Sequence, residues 1–125
     1  MANYDQLFVY KSCYQLLFSL HKDLNKIPRD IKYTLLQDLK KDTLFVLRQI
    51  YHANSAKEKI PILELAIDRM FDVKINIRIL WDLKVLGLKQ FGRFLELAES
   101  VSKQLTCWKK SEEKKEMNNL QQMHV

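Results

Sequence analysis

One stretch, residues 63–86 (LELAIDRMFDVKINIRILWDLKVL), restricts the folds open to this chain more than any other. It contains neither Gly nor Pro, and its apolar residues recur at helical spacing. Leu63, Ala66, Met70, Val73, Ile77 and Leu80 step by three and four along one helix face. Leu65, Ile75, Ile79, Leu83 and Leu86 fall on a different face, at roughly 100° per residue. A helix that is apolar on two sides requires cover on two sides. Its own chain supplies one cover; a second subunit is expected to supply the other, across Leu65, Phe71, Ile75, Ile79 and Leu83. Lys74 and Arg78 stand between the two apolar sets, one turn apart on the same side. Cations set into so apolar a helix need an anion to meet, which makes them the first candidates for function.

The rest of the chain reads as three more amphipathic helices. Residues 1–3 are expected to be loose. The first helix, about 4–26, carries Leu7, Tyr10, Tyr14, Leu17, Leu20 and Leu24, and Ile27-Pro28 ends it. Pro28 suits the first position of the next helix, about 28–53, whose inner stripe is Leu36, Leu39, Thr43, Val46, Leu47 and Ile50. At the following turn, HANSAKEK, Ser55 and Glu58 have capping-box spacing, whereas Pro61 favours a start near Ile60. Gly87 is expected to end the third helix in the left-handed conformation. A fourth helix, about 89–109, has the core stripe Phe91, Phe94, Leu95, Ala98, Val101, Leu105 and Trp108, with Lys89, Arg93, Glu96 and Lys103 facing out. Short connections between four such helices predict an all-α, up-down-up-down antiparallel four-helix bundle over 1–109. Residues 110–125 are polar and aperiodic, and are expected to form a disordered tail.

The 125 residues suffice for one domain with a real core. Two Gly and two Pro argue against a turn-rich β fold. No 18-residue uncharged run exists, so no membrane span is expected. The start lacks the basic-then-apolar order of a signal peptide, which points to a cytoplasmic protein. Of the net charge of +6, the segment from Lys109 onward, with four Lys and three Glu, holds +1, leaving +5 on the folded part. A basic surface of this kind favours nucleic acid or an acidic partner. Cys13 and Cys107 make no disulfide framework and read as free, buried thiols of a reducing compartment.

Little points to catalysis. His21, His52 and His124 lie far apart in sequence, with no pair at the spacing that holds a metal on one helix face. There is no glycine-rich phosphate loop or nucleophile elbow. Glu64, Asp68 and Asp72 share a helix side but read as a solvated acidic stripe. No enzyme activity, cofactor or metal is expected. The cations Lys40, Lys41, Arg48, Lys74, Arg78, Lys84, Lys89 and Arg93 spread over three helices. Phe45 points away from its helix's inner stripe, near Lys41, Arg48 and His52. It reads as covered by a neighbouring subunit, as part of a basic surface on which a base stacks, or as singly exposed.

Three segments carry a resemblance: IPRDIKYTLLQDLKKDTLFVL at the first turn and second helix, KINIRILWDLKVLGLKQF across the third turn, and Thr106-Cys107-Trp108. Over residues 7–109 the chain resembles the Avd family, the accessory variability determinant of diversity-generating retroelements. More distantly it is similar to four-helix proteins encoded in intervening sequences of ribosomal-RNA genes. It departs from the family at Leu36, and at Thr106 and Cys107, where members often have glycines. The resemblance implies a barrel-like homopentamer with a basic surface. Such an assembly binds the retroelement's reverse transcriptase and RNA or DNA, and supports mutagenic cDNA synthesis without catalysis of its own. It assigns nucleic-acid contact to Lys74 and Arg78; the helical reading alone adds Lys41 and Arg48. The other reading is an oligomeric protein-interaction scaffold with no specific nucleic-acid role.

Overall fold

Segments rich in Leu, Lys and Glu wind into helices because their side chains lose little rotamer freedom there. A computed structural model describes residues 3–4, 7–24 and 26–123. It contains α1 (Phe8–Lys22), α2, α3 (Ile60–Asp82) and α4 (Leu88–Met123). Helix α2 is one rod built of Arg29–Ile31, a wider π-type turn at Lys32–Leu36, and Gln37–Ser55. The Thr34 hydroxyl donates to the Asp30 carbonyl at 2.6 Å across that wider turn. The described residues form no strand, and no helix among them is long and apolar enough to cross a membrane.

Each helix packs against its two neighbours: α1 on α2 and α4, α3 on α2 and α4. As α1 runs from Ser12 to Asp23, its partners on α4 run back from Gln104 to Gln90. On α3 and α4, Glu64 meets Lys109 and Lys74 meets Glu99, again in opposed directions. The four helices therefore alternate up and down, as expected. The inner stripes of α2 and α3 are those predicted; Leu36, Leu39, Thr43, Val46 and Ile50 are dry, as are Leu63, Ala66, Met70, Val73, Ile77 and Leu80. Helix α4 adds Phe94, Ala98, Val101 and Leu105.

Several expectations need correction. In α1 the core is Val9, Cys13, Leu16 and Leu20, while Tyr14 is exposed. That helix is apolar around most of its circumference, so two phases fit three-and-four spacing, and tyrosine tolerates the wet side through its hydroxyl. Helix α3 stops at Asp82, and Leu86 beyond it is buried in its own chain. The left-handed residue there is Lys84 at φ 63°, not Gly87. The Lys84 and Val85 amides donate to Trp81 and Leu80 at 2.9 and 3.2 Å, the paired bonds of a helix end closed by a left-handed residue. Gly87 instead precedes α4, its amide donating to Gln90 Oε1 at 3.0 Å, while Gln90 Nε2 reaches the Asp23 carbonyl at 3.1 Å. At the α2–α3 turn, Ser55 and Glu58 form no capping box. Ser55 closes α2, and α3 begins at Ile60 with Pro61 in its first turn. Helix α4 runs on through the polar segment to Met123 instead of ending near Lys109; Glu112 and Lys115, one turn apart, pair at 3.6 Å there. Cys13 is buried, with its thiol pushed up to about 12 by desolvation, but Cys107 is exposed. Residues 1–2 of the expected loose start, 5–6 and 25 of the expected first helix, and 124–125 of the tail lie outside the described residues.

One further device holds the α2–α3 turn. Lys59 Nζ donates to the Ala53, Asn54 and Ala56 carbonyls at 2.6, 3.0 and 2.9 Å, satisfying the open end of α2 with a cation. Lys59→Met should lower unfolding stability by about 1–3 kcal/mol in urea titration. Lys84→Gly should raise it by about 1 kcal/mol, because glycine enters the left-handed region without a Cβ clash.

Candidate nucleic-acid interface

The five residues expected at a subunit seam share one state. Leu65, Phe71, Ile75, Ile79 and Leu83 are all exposed, with Phe71 at 65%. Phe71, Ile75, Ile79 and Leu83 follow each other at four-residue steps and form a ridge along the outside of α3, with Asp68, Asp72 and Asp82 exposed beside them. The second apolar face of this helix is thus uncovered by its own chain.

The two cations between the faces do find anions, and both belong to the same chain. Lys74 Nζ lies 3.4 Å from Glu99 Oε1 on α4. Arg78 Nε lies 3.2 Å from Asp82 Oδ1, one turn on in α3. These pairs lie on the α4 side of the ridge. Lys41 and Arg48 are exposed on α2, on its other side. The four candidate residues therefore do not form one cluster.

A denser set of cations gathers around Lys41. Along the α1–α2 seam, Leu17, His21, Lys32, Tyr33, Gln37, Lys40, Lys41 and Leu44 line a groove of about 450 Å³. Along the α2–α3 seam, Lys41, Leu44, Phe45, Arg48, Gln49, His52 and Arg69 line a second, of about 360 Å³. The grooves share Lys41 and Leu44 and form one surface on the outside of α2. Among the described residues no carboxylate lines either groove. Arg69 is the exception to free charge: its guanidinium is 3.2 Å from Asp42 Oδ1 and sits 4.1 Å over the Phe45 ring. Phe45 is therefore half-buried beneath an arginine of its own chain. Burial raises the Asp42 carboxyl above its ordinary range, against the opposing pull of Arg69. Partial burial, then the nearby charge of Lys40, lowers the His21 pKa.

Sequence reading placed Lys41, Arg48 and His52 together correctly. It missed the contributions of Lys32, Tyr33 and Arg69, which helical periodicity presents as ordinary surface residues. Arg69 arrives from α3, whereas Lys32 and Tyr33 lie two turns before Lys40 and Lys41 on α2 itself. Elsewhere, in the acidic stripe of α3, Glu64 reaches Lys109 of α4 at 3.6 Å and Asp72 pairs with Arg69 of its own helix at 3.9 Å. No three His, Cys, Asp or Glu among the described residues come together as metal ligands.

No protein-family model matches the chain, and no curated protein matches it significantly. The geometry defines a four-helix protein with an apolar ridge on one helix and a cationic surface on another.

The charge of Lys40 acts directly on His21. Burial and Lys40 both favour the neutral imidazole, so the folded chain binds this proton less readily than the unfolded one. Stability should accordingly fall as pH drops through the ordinary histidine value. Lys40→Met should raise the His21 pKa toward that value in an NMR imidazole titration.

Proposed function

We propose that this protein is a non-catalytic, nucleic-acid-binding accessory subunit, assembled through the α3 ridge and binding phosphate backbones through the outer surface of α2. The observation that carries the reading is the carboxylate-free continuity of Lys32, Lys40, Lys41 and Arg48 across two adjoining grooves. Such a surface attracts polyphosphate without reading sequence. Lys74 and Arg78, the pair assigned by family resemblance, already have part of their charge offset by Glu99 and Asp82. They are secondary contacts in this reading. The resemblance to Avd supplies the specific setting: a homopentamer that holds the reverse transcriptase of a diversity-generating retroelement on its RNA or DNA.

Exposure of Leu65, Phe71, Ile75, Ile79 and Leu83 supports the assembly. Covering their open surface would contribute on the order of 5 kcal/mol per subunit. Ile79→Glu should yield a folded monomer in sedimentation, with helix content retained because Ile79 lies outside the core.

A scaffold without nucleic acid is the second reading, favoured by the internal pairing of Lys74 and Arg78. Two double variants separate the readings. Lys41→Ala with Arg48→Ala should weaken polynucleotide binding and reduce the slope of log K against log salt by about 2. Lys74→Ala with Arg78→Ala should change the slope less. Unaltered low-salt binding by the first variant overturns the nucleic-acid assignment.

A further inference from the structure

We infer that the polynucleotide held on this surface is single-stranded, its bases stacking on Tyr33, Tyr14 and Phe18 while its phosphates follow Lys32, Lys40 and Lys41. This rests on the nucleic-acid reading above and specifies its ligand class. The α1–α2 groove is cationic on its α2 side and has Tyr33 in its lining, and on α1 the lining residue Leu17 stands next to Phe18 and three residues from Tyr14 in sequence. Tyr33 is 62% exposed, its ring approached by Lys32 Nζ at 6.0 Å. Tyr14 and Phe18 are both exposed on α1, one turn apart, with centroids 6.3 Å apart and planes only 16° from parallel. The row continues to Tyr10, 6.4 Å behind Tyr14, and ends at Lys22, whose Nζ lies 5.8 Å from the Phe18 centroid. Phe45 does not take part, because Arg69 occupies its face.

Exposed aromatic rings beside a row of cations match what an unpaired strand offers: flat bases on one side, phosphates on the other. A duplex buries its base faces in its own stack and presents only its phosphates and groove edges. Two helices in contact, with axes about 8–10 Å apart, leave a seam suited to one strand. A purely electrostatic site has no use for the rings, and an acidic protein segment would engage the lysines without needing base-sized aromatic faces.

The test uses the full chain with a labelled single-stranded oligonucleotide, the corresponding duplex and heparin, in fluorescence anisotropy at fixed low salt. Tyr33→Ala, and separately Tyr14→Ala with Phe18→Ala, should weaken single-strand binding about tenfold and leave duplex and heparin within about twofold. Tyr33→Phe should bind as the wild type, because stacking needs the ring and not the hydroxyl. In wild-type protein, the Tyr33 ring and Leu44 methyl resonances should shift with the single strand and not with heparin, a readout independent of any variant. Equal losses for strand, duplex and heparin, or no loss in either aromatic variant, would overturn single-strand stacking while leaving the cationic surface intact. Absence of binding to all three polyanions by the wild type removes the nucleic-acid reading itself.

Discussion

The rotation of α3 about its own axis decides what the rest of the molecule presents. Its inner stripe, from Leu63 to Leu80, is fully dry and meets both α2 and α4. Each such side chain contributes about 1.5–3 kcal/mol on leaving water, but hydrophobicity alone does not say which side of so apolar a helix turns inward. Polar contacts on both flanks supply the choice. Arg69 reaches Asp42 of α2, while Glu64 and Lys74 reach Lys109 and Glu99 of α4. Such partly exposed pairs are individually weak, about 0–1 kcal/mol. Set on either side of the dry stripe, they favour one rotation, and that rotation leaves Phe71, Ile75, Ile79 and Leu83 outside.

The same pairs sort the charge. Cations of α3 and α4 that lie beside acidic neighbours are consumed within the bundle. Those on the outside of α2 have no such neighbours in their grooves, and their fields add. Burial, and after it the charge of Lys40, lowers the His21 pKa across the α1–α2 groove. Part of the surplus of lysine is thus taken up inside the molecule: the α2–α3 and α3–α4 seams pair charges of their own, while the cations on the outside of α2 have no carboxylate in their grooves.

Much of this was legible in the linear pattern. Thr43, Val46 and Ile50 lie at one helix phase with polar residues opposite, so α2 admits a single reading. In α1, Leu16 and Leu17 are adjacent and aromatic residues occupy four further positions, so periodicity alone did not choose between Cys13 and Tyr14 for the core. The turns were read less well where side chains act over several residues. Lys59 as a helix cap and Lys84 as the left-handed closure have no signature in residue type, since glycine is the usual marker for the second role. The cationic surface was half visible: Lys41 and Arg48 share a helix, whereas His21 and Arg69 arrive from α1 and α3. Helicity beyond Lys109 was missed because polarity was read as disorder, although Glu, Lys and Gln are good helix formers.

The wider turn at Lys32–Leu36 has a consequence for how this chain tolerates changes in length. A π-type turn is what a uniform helix becomes when it absorbs one additional residue. Loss of a single codon within that segment would let α2 revert to regular winding, with Thr43, Val46 and Ile50 still facing inward. The insertion-tolerant point of the molecule therefore lies inside a helix, one turn from its start, and it carries Tyr33 with it. Shortening there would leave the bundle standing while turning that ring toward a different neighbour.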